Sequence, residues 1–253
     1  MAKAPVRKRN KNPFFGILVV VGIVGVAALG YVLTRPAGKP LTVDPNIPPG
    51  EAEGYLMGNP NAPVQVIEFG DFECPGCGSF ANVTEPDLRT RLINTGTVAL
   101  RFFDFPLSGH KNTWTAHTSA SCAADQGKFW EMHDRMYAGQ DEWNGEVTND
   151  PIKVFKRYAS EMGLDVTLWE ACLVAQPHAA RIKANSAEGT RRRIQGTPTF
   201  IIGDKMLPWG SPPTYDQFKR YVDSVLTTQA KSDTAKKSVK PPAAKPGEAQ
   251  ESK

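Results

Sequence analysis

Metal-binding side chains are scarce: 253 residues hold four cysteines and four histidines, with one CxxC, no second CxxC and no HxxxH pair. A closed zinc site needs four ligands, so Cys74 and Cys77 alone would supply half of one. His110, His117, His133 and His178 fall at no ligand spacing and read as surface or helix residues. Neither a metal nor another cofactor is expected. A basic domain is missing as well. The overall charge of +4 comes from the ends: residues 1–35 hold six basic residues and no acid, and 229–253 hold six lysines against three acids. The stretch between is mildly acidic, which argues against a nucleic-acid face. Arg191-Arg192-Arg193, its one basic cluster, reads as a solvated helix end.

Acid is absent from residues 1–13, and charge of either sign is absent from Phe14 to Leu33. At 1.5 Å per residue that apolar run is about 30 Å long, enough for one transmembrane helix. The basic residues before it place the N-terminus in the cytoplasm and the remainder of the chain outside, in an oxidising compartment. A cleavable signal peptide is the competing reading, but its apolar region is shorter, and no small-x-small site follows Tyr31-Val32-Leu33. Residues 34–58, with Pro36, Pro40, Pro45, Pro48, Pro49 and Gly50, read as a spacer. Residues 229–253 lack aromatics and read as a disordered tail. The domain, 59–228, is long enough for one core.

Within it, Val64-Gln65-Val66-Ile67-Glu68-Phe69 has the composition of a buried strand. Gly70 and Asp71 break the run, and Cys74-Pro75-Gly76-Cys77 follows, with Pro75 suited to a first helical position. Cys74 is therefore expected at a helix N-terminus, where unpaired N–H groups stabilise a thiolate. That thiolate is the nucleophile of disulfide exchange; Cys77, one turn on and better shielded, would resolve the mixed disulfide. The CxxC spacing by itself is a weak signal. Its strand-then-helix setting strengthens it. Glu68 either lies buried with a raised pKa or faces solvent at the strand end.

Gly78 to Ile93 reads as a helix kinked at Pro86, and Val98 to Phe105 as a second buried strand, parallel to the first. Helical segments then run near Thr115 to Asp125, Lys128 to Tyr137, Ile152 to Met162, Val166 to Ala175 and His178 to Arg193. Phe200 to Ile202 and Lys205 to Leu207 read as a hairpin around Gly203-Asp204, followed by a closing helix from Tyr215 to Leu226.

The strand carrying Glu68 and Phe69, the Cys74-Pro75-Gly76-Cys77 pair and the later Gly196-Thr197-Pro198-Thr199-Phe200 together resemble the DsbA-like thiol-disulfide oxidoreductases over about Asn59 to Thr228. The resemblance implies an α/β thioredoxin fold with an all-helical insertion, about 111–195, and a redox-active disulfide between Cys74 and Cys77. It also implies a cis Pro198 across from the cysteines, with Thr197 pairing an extended substrate segment, and a proton-moving role for Glu68. Exported proteins would be the substrates and a quinone-coupled membrane protein the redox partner. Cys122-Ala123-Ala124-Asp125-Gln126-Gly127-Lys128-Phe129-Trp130 resembles membrane-anchored members of the family. Cys122 and Cys172 are expected to form a structural disulfide; buried free thiols or a second redox pair are the alternatives. Gly76 departs from the strongest oxidases, which place a histidine there, and with Asp71 and Glu73 nearby a less stabilised thiolate is expected. Two rival functions stay open: a reductase or isomerase supplied with electrons through the membrane, and a tethered binding module or chaperone with structural cysteines.

Overall fold

The computed structural model describes residues 17–25 and 39–238, and divides the chain into Met1–Ala37 and Gly38–Lys253. In the first unit, residues 17–25 are helical with exposed apolar side chains. The rest of the expected anchor, Phe14 to Leu33, lies outside the described residues, as do residues 1–13 and 239–253. No helix among the described residues is long and apolar enough to cross a membrane.

The second unit is built on one five-stranded sheet: β1 (Tyr55–Met57), β2 (Val64–Gly70), β3 (Val98–Asp104), β4 (Thr199–Ile202) and β5 (Lys205–Met206). Their order is β1-β3-β2-β4-β5, with β2 and β3 parallel and the other neighbours antiparallel. The two-residue period of β2 turns Val64, Val66 and Glu68 to one face, where Phe80, Leu88, Leu100, Phe200 and Phe218 make the core. Phe69 turns the other way, against Phe105, Ile194 and Ile201. The register sets Glu68 between Phe102 of β3 and Phe200 of β4. A carboxyl thus sits at the sheet's centre.

From Pro75 to Ile93 the chain is helical but uneven: α1 (Pro75–Ser79), a π turn (Phe80–Thr84), α2 (Glu85–Leu88) and a second π turn (Arg89–Ile93). Pro86 has no N–H to give the helical ladder, and the turn before it widens so that the Glu85 N–H bonds the Phe80 carbonyl. The expected kink takes this form. Cys77, Phe80, Glu85, Leu88 and Leu92 line the buried face.

The helical insertion runs through α3 (Thr113–Ala124), α4 (Phe129–Ala138), α5 (Gln140–Trp143), α6 (Pro151–Glu161), α7 (Val166–Ala175) and α8 (Ala179–Arg191). Side chains of Asp150 and Asp165 cap α6 and α7 by accepting from Lys153 and Leu168 N–H groups. Helix α3 is buried on nearly every side, and Ala116, Ala120 and Ala123 let its neighbours approach closely. Cys122 of α3 and Cys172 of α7 are joined by a disulfide, with Cα atoms 5.8 Å apart. Helix α5 has four residues, too few for a periodic signal, and was not anticipated.

Two boundaries differ from the sequence reading. Residues 39–58, expected as spacer, lie on the domain: Leu41 N–H bonds the Thr115 hydroxyl at 2.8 Å, Gly50 N–H bonds the Ala180 carbonyl at 2.9 Å, and β1 adds a strand to the sheet edge. Asp104 at the end of β3 explains the attachment. Its buried carboxylate accepts from His117, Asn185 and Arg181, and Arg181 reaches on to the Glu53 carbonyl and the Tyr55 hydroxyl. Those contacts span long stretches of chain and leave no local pattern. The closing helix α9 (Tyr215–Ser238) continues past Leu226 into the first ten residues of the expected disordered tail.

Candidate active site

Strand β2 ends at Gly70, and the next residue, Asp71, ties the turn that delivers the cysteines. Its buried carboxylate accepts from the Glu73 N–H at 2.8 Å, the Leu107 N–H at 2.8 Å and the Thr113 hydroxyl at 2.6 Å, with His110 Nδ1 at 2.8 Å. Against the cost of burial, the His110 hydrogen bond, the His117 charge and the Thr113 hydrogen bond hold the Asp71 pKa below the usual carboxylate value. Glu73 is also engaged, accepting from the N–H groups of Asn112 and Gly145 at 2.6 Å each. Both acids expected to burden the Cys74 thiolate are thus bound to donors of their own. His110, half-buried in the loop before α3, and His117, on α3 as a helix residue but fully buried, both belong to this scaffold.

Cys74 is the N-cap of α1, with extended backbone (φ −72°, ψ 122°) and Pro75 directly after it. No side-chain hydrogen bond caps this helix, so its first N–H groups are left free to stabilise a charge on the sulfur. The Cys74 pKa is lowered to about 6 from an ordinary 9.0, first by the hydrogen bond from the Cys77 thiol, then, against burial, by Thr197 and the N–H groups of Cys77 and Gly76. As a thiol, Cys74 can also donate to the Thr197 carbonyl, 3.3 Å away. Cys77 is the opposite case. It is fully buried, and burial, followed by the neighbouring Cys74, pushes its thiol well above the usual range. Cys74 is readily ionised and 8% exposed as a residue; Cys77 is neutral and covered. Both are free thiols in the structure.

Thr197-Pro198 is a cis peptide bond lying against the cysteine pair. A Cβ placed on Gly76 would stand 3.2 Å from Pro198 Cδ and 3.7 Å from both Cys74 Sγ and the Thr197 carbonyl oxygen. Position 76 therefore has little room for a side chain unless the proline loop gives way by a few tenths of an ångström. Glu68 is 1% exposed; burial first, then the Glu85 charge, pushes its pKa well above the carboxylate norm, and one oxygen has no hydrogen-bond partner. The solvent-facing reading of Glu68 is thereby ruled out.

Sequence reasoning missed the contribution of the insertion to this site. Gln140 of α5 donates to the carbonyls of Phe72 and Cys74 at 2.6 and 3.0 Å, fixing the turn that carries the nucleophile. A cleft of about 410 Å³ opens beside Pro75, lined by Glu73, His110, Lys111, Gln140 and Asn144. Trp209, 53% exposed, covers Gly196 just before the cis bond. These residues converge from segments far apart in the chain, so no local pattern announces them.

Comparison with known proteins bears on the family and the fold. The family model described as Thioredoxin matches residues 51–224. Disulfide bond formation protein D of Bacillus subtilis is 27% identical over 173 residues, covering 68% of this chain and 76% of that protein. Na(+)/H(+) antiporter NhaA 3 of Salinispora tropica is 33% identical over 164 residues, 64% of this chain; the match spans 24% of that relative's length. Among solved structures, oxidised BdbD from Bacillus subtilis superposes with a TM-score of 0.61 at 23% identity, over 71% of this chain and 99% of that one. Wolbachia pipientis alpha-DsbA1 gives 0.62 at 22% identity, over 77% and 96%. These two structural likenesses speak for the fold. With a family match over most of its length, the chain belongs to the thioredoxin family.

Proposed function

We propose that this protein oxidises thiols of exported proteins outside the cytoplasm through the Cys74–Cys77 pair, held at the membrane by Phe14 to Leu33 with the N-terminus inside. The observation that carries the reading is the contrast between the two sulfurs: Cys74, whose chain neighbours Glu73 and Pro75 line a cleft, has its pKa lowered to about 6, while Cys77 is buried and its thiol pushed up. A stabilised thiolate favours the reduced enzyme, and a favoured reduced form makes the disulfide an oxidant.

In the oxidised enzyme a substrate thiolate attacks Cys74 Sγ, the Cys74–Cys77 bond breaks, and the electron pair leaves on Cys77, which takes a proton from Glu68. The mixed disulfide rests across Thr197-Pro198, where the Thr197 backbone pairs the substrate strand. A second substrate thiolate then attacks the substrate sulfur, releasing a substrate disulfide and the Cys74 thiolate. Two electrons have passed to the enzyme, and a quinone-coupled membrane protein removes them. Tethering raises the effective concentration for that encounter. Cys122–Cys172 serves as a structural brace for the insertion.

The test is to trap the Cys74–Cys77 pair with an alkylating reagent in intact cells and to measure its potential in glutathione buffers. A mostly oxidised pair is expected; a mostly reduced one overturns the oxidase reading in favour of the reductase. A Cys74→Ala protein that keeps full activity would instead leave only the binding-module reading.

A further inference from the structure

Glu85 and His133 form a second group of buried polar side chains, which thiol exchange does not use. Glu85, in the turn after the first π segment, is 1% exposed, and His133 of α4 is fully buried. The Glu85 carboxyl is split in its contacts: Oε1 accepts from Arg89 Nε and Nη2 at 2.8 and 2.6 Å, while Oε2 has no partner. His133 is split the same way. Its Nδ1 lies 2.8 Å from Asp134 Oδ1, and its Nε2 has no partner. The two unpartnered atoms face each other at 3.9 Å.

A carboxylate only accepts, so the Asp134 contact makes Nδ1 the donor and leaves Nε2 of a neutral ring as a lone pair. Two acceptors then stand opposed. At 3.9 Å they are just beyond hydrogen-bond reach, and a proton on either one, with a small approach, would make it a donor to the other. Asp134 and Arg89 are paired at the surface with side chains 49% and 27% exposed, so this end of the group reaches solvent. Toward the interior, His133 stacks edgewise on Phe102, the β3 residue in register with Glu68, with ring centroids 5.4 Å apart, and on Tyr137 at 4.8 Å. The Glu85 and Arg89 charges are both felt at Glu68, as is Cys74. The charged and titratable groups in play are Glu85, Arg89 and Cys74, whose charges act on Glu68; Cys77, on which Glu68 acts; and Asp134 and Tyr137, which contact His133. Arg89 already holds the cation position among the acids.

We propose that Glu85 and His133 form a proton relay joining Glu68 to solvent, so that Glu68 can be unloaded and reloaded as Cys77 gains and loses its proton. The inference rests on the oxidoreductase reading. Burial, then the Glu85 charge, raises the Glu68 pKa and favours its protonated form. A protonated acid cannot accept the Cys77 proton without passing on its own. In the resolving direction Cys77 S–H gives its proton to Glu68 as Glu68 hands one to the Glu85–His133 pair. The Cys77 thiolate then attacks Cys74 Sγ, the bond from Cys74 to the partner sulfur breaks, and the partner leaves as thiolate. The transferred proton leaves through His133 and Asp134. In the substrate-oxidising direction the same steps run backward, and the relay reloads Glu68 from solvent. Glu85 and His133 act through Glu68 and touch no reacting sulfur; they are positioning and relay residues.

The test uses the reduced full chain and a fluorescent peptide disulfide in stopped flow. One thiol is released when Cys74 attacks and a second when Cys77 resolves. With Glu85→Gln or His133→Gln, the second phase is expected to slow at pH 7 by on the order of tenfold, the low end of general acid–base effects, while the first is unchanged. Its pH profile should flatten, and imidazole in the buffer should restore it. An unchanged second phase in both variants overturns the relay. So does slowing with an unaltered pH profile and no rescue, which marks a purely structural role. If both variants lose the fold, the proton inventory of the second phase in the unaltered protein decides: more than one proton in flight supports the relay, a single one overturns it. Absence of both phases in the unaltered protein would instead refute the oxidoreductase reading.

Discussion

The ionisation of Cys74 can be tested with pH as the perturbation. With a pKa of about 6, Cys74 is about nine-tenths thiolate at pH 7, against about 1% at the ordinary value of 9. The sign follows from which state binds the proton. The depressed pKa exists only in the folded, reduced protein, so the stabilisation is complete above the ordinary value and is lost as pH falls through 6. At pH 7 the difference in ionisation amounts to about 1.4 kcal/mol in favour of the reduced form, equivalent to about 30 mV in a two-electron couple. The potential of the pair should therefore fall by about 59 mV per pH unit below pH 6, where two protons accompany two electrons, and by about 30 mV per unit above it, where Cys77 alone is protonated. Glutathione titrations between pH 5 and 8.5 locate the break, and iodoacetamide alkylation of Cys74 should reach half its plateau rate at the same pH. A single slope to pH 8, with half-maximal alkylation near 9, would refute the reasoning: the N-cap position and the Cys77 hydrogen bond would then contribute nothing.

Three further outcomes follow from the buried acids and the bridge. Asp71→Asn removes an acceptor from several donors and should lower urea stability by about 2–3 kcal/mol at pH 7, with the gap closing below the ordinary carboxylate pKa, where the native Asp71 advantage is itself lost. Glu68→Gln should slow the Cys77 phase yet raise the unfolding midpoint at neutral pH. Burial raises the folded-state pKa of Glu68, so above the unfolded value the unfolded chain releases a proton that the native state retains, and stability declines with rising pH; a midpoint difference that does not grow between pH 4 and 7 contradicts this. Replacing Cys122 and Cys172 together by alanine should cost roughly 4 kcal/mol by the chain-entropy relation for a loop of 50 residues, leaving Cys74 alkylation unchanged. If the alkylation profile moves with the bridge, the brace reading is wrong.

Local chemistry made much of this protein readable from its residues. The run Val64 to Phe69, the break at Gly70-Asp71 and Pro75 after Cys74 place a strand before a helix with a sulfur at its N-terminus, because each signal acts within a few residues. Apolar periodicity located α3, α4, α6, α7 and α8 within a few residues of their observed bounds. Short or remotely paired elements were not legible: β1 owes its existence to β3, α5 has four residues, and the strap from Leu41 to Glu53 is held by side chains of α3 and α8. The same limit hid Asp71 and Asp104, whose charges are tolerable only because donors from distant segments converge on them. Residue order thus determined where a reactive thiol would be presented. Tertiary packing decided how acidic it is, what surrounds its buried partner, and where the proton can go, since burial and through-space charge do not exist until the chain has closed around them.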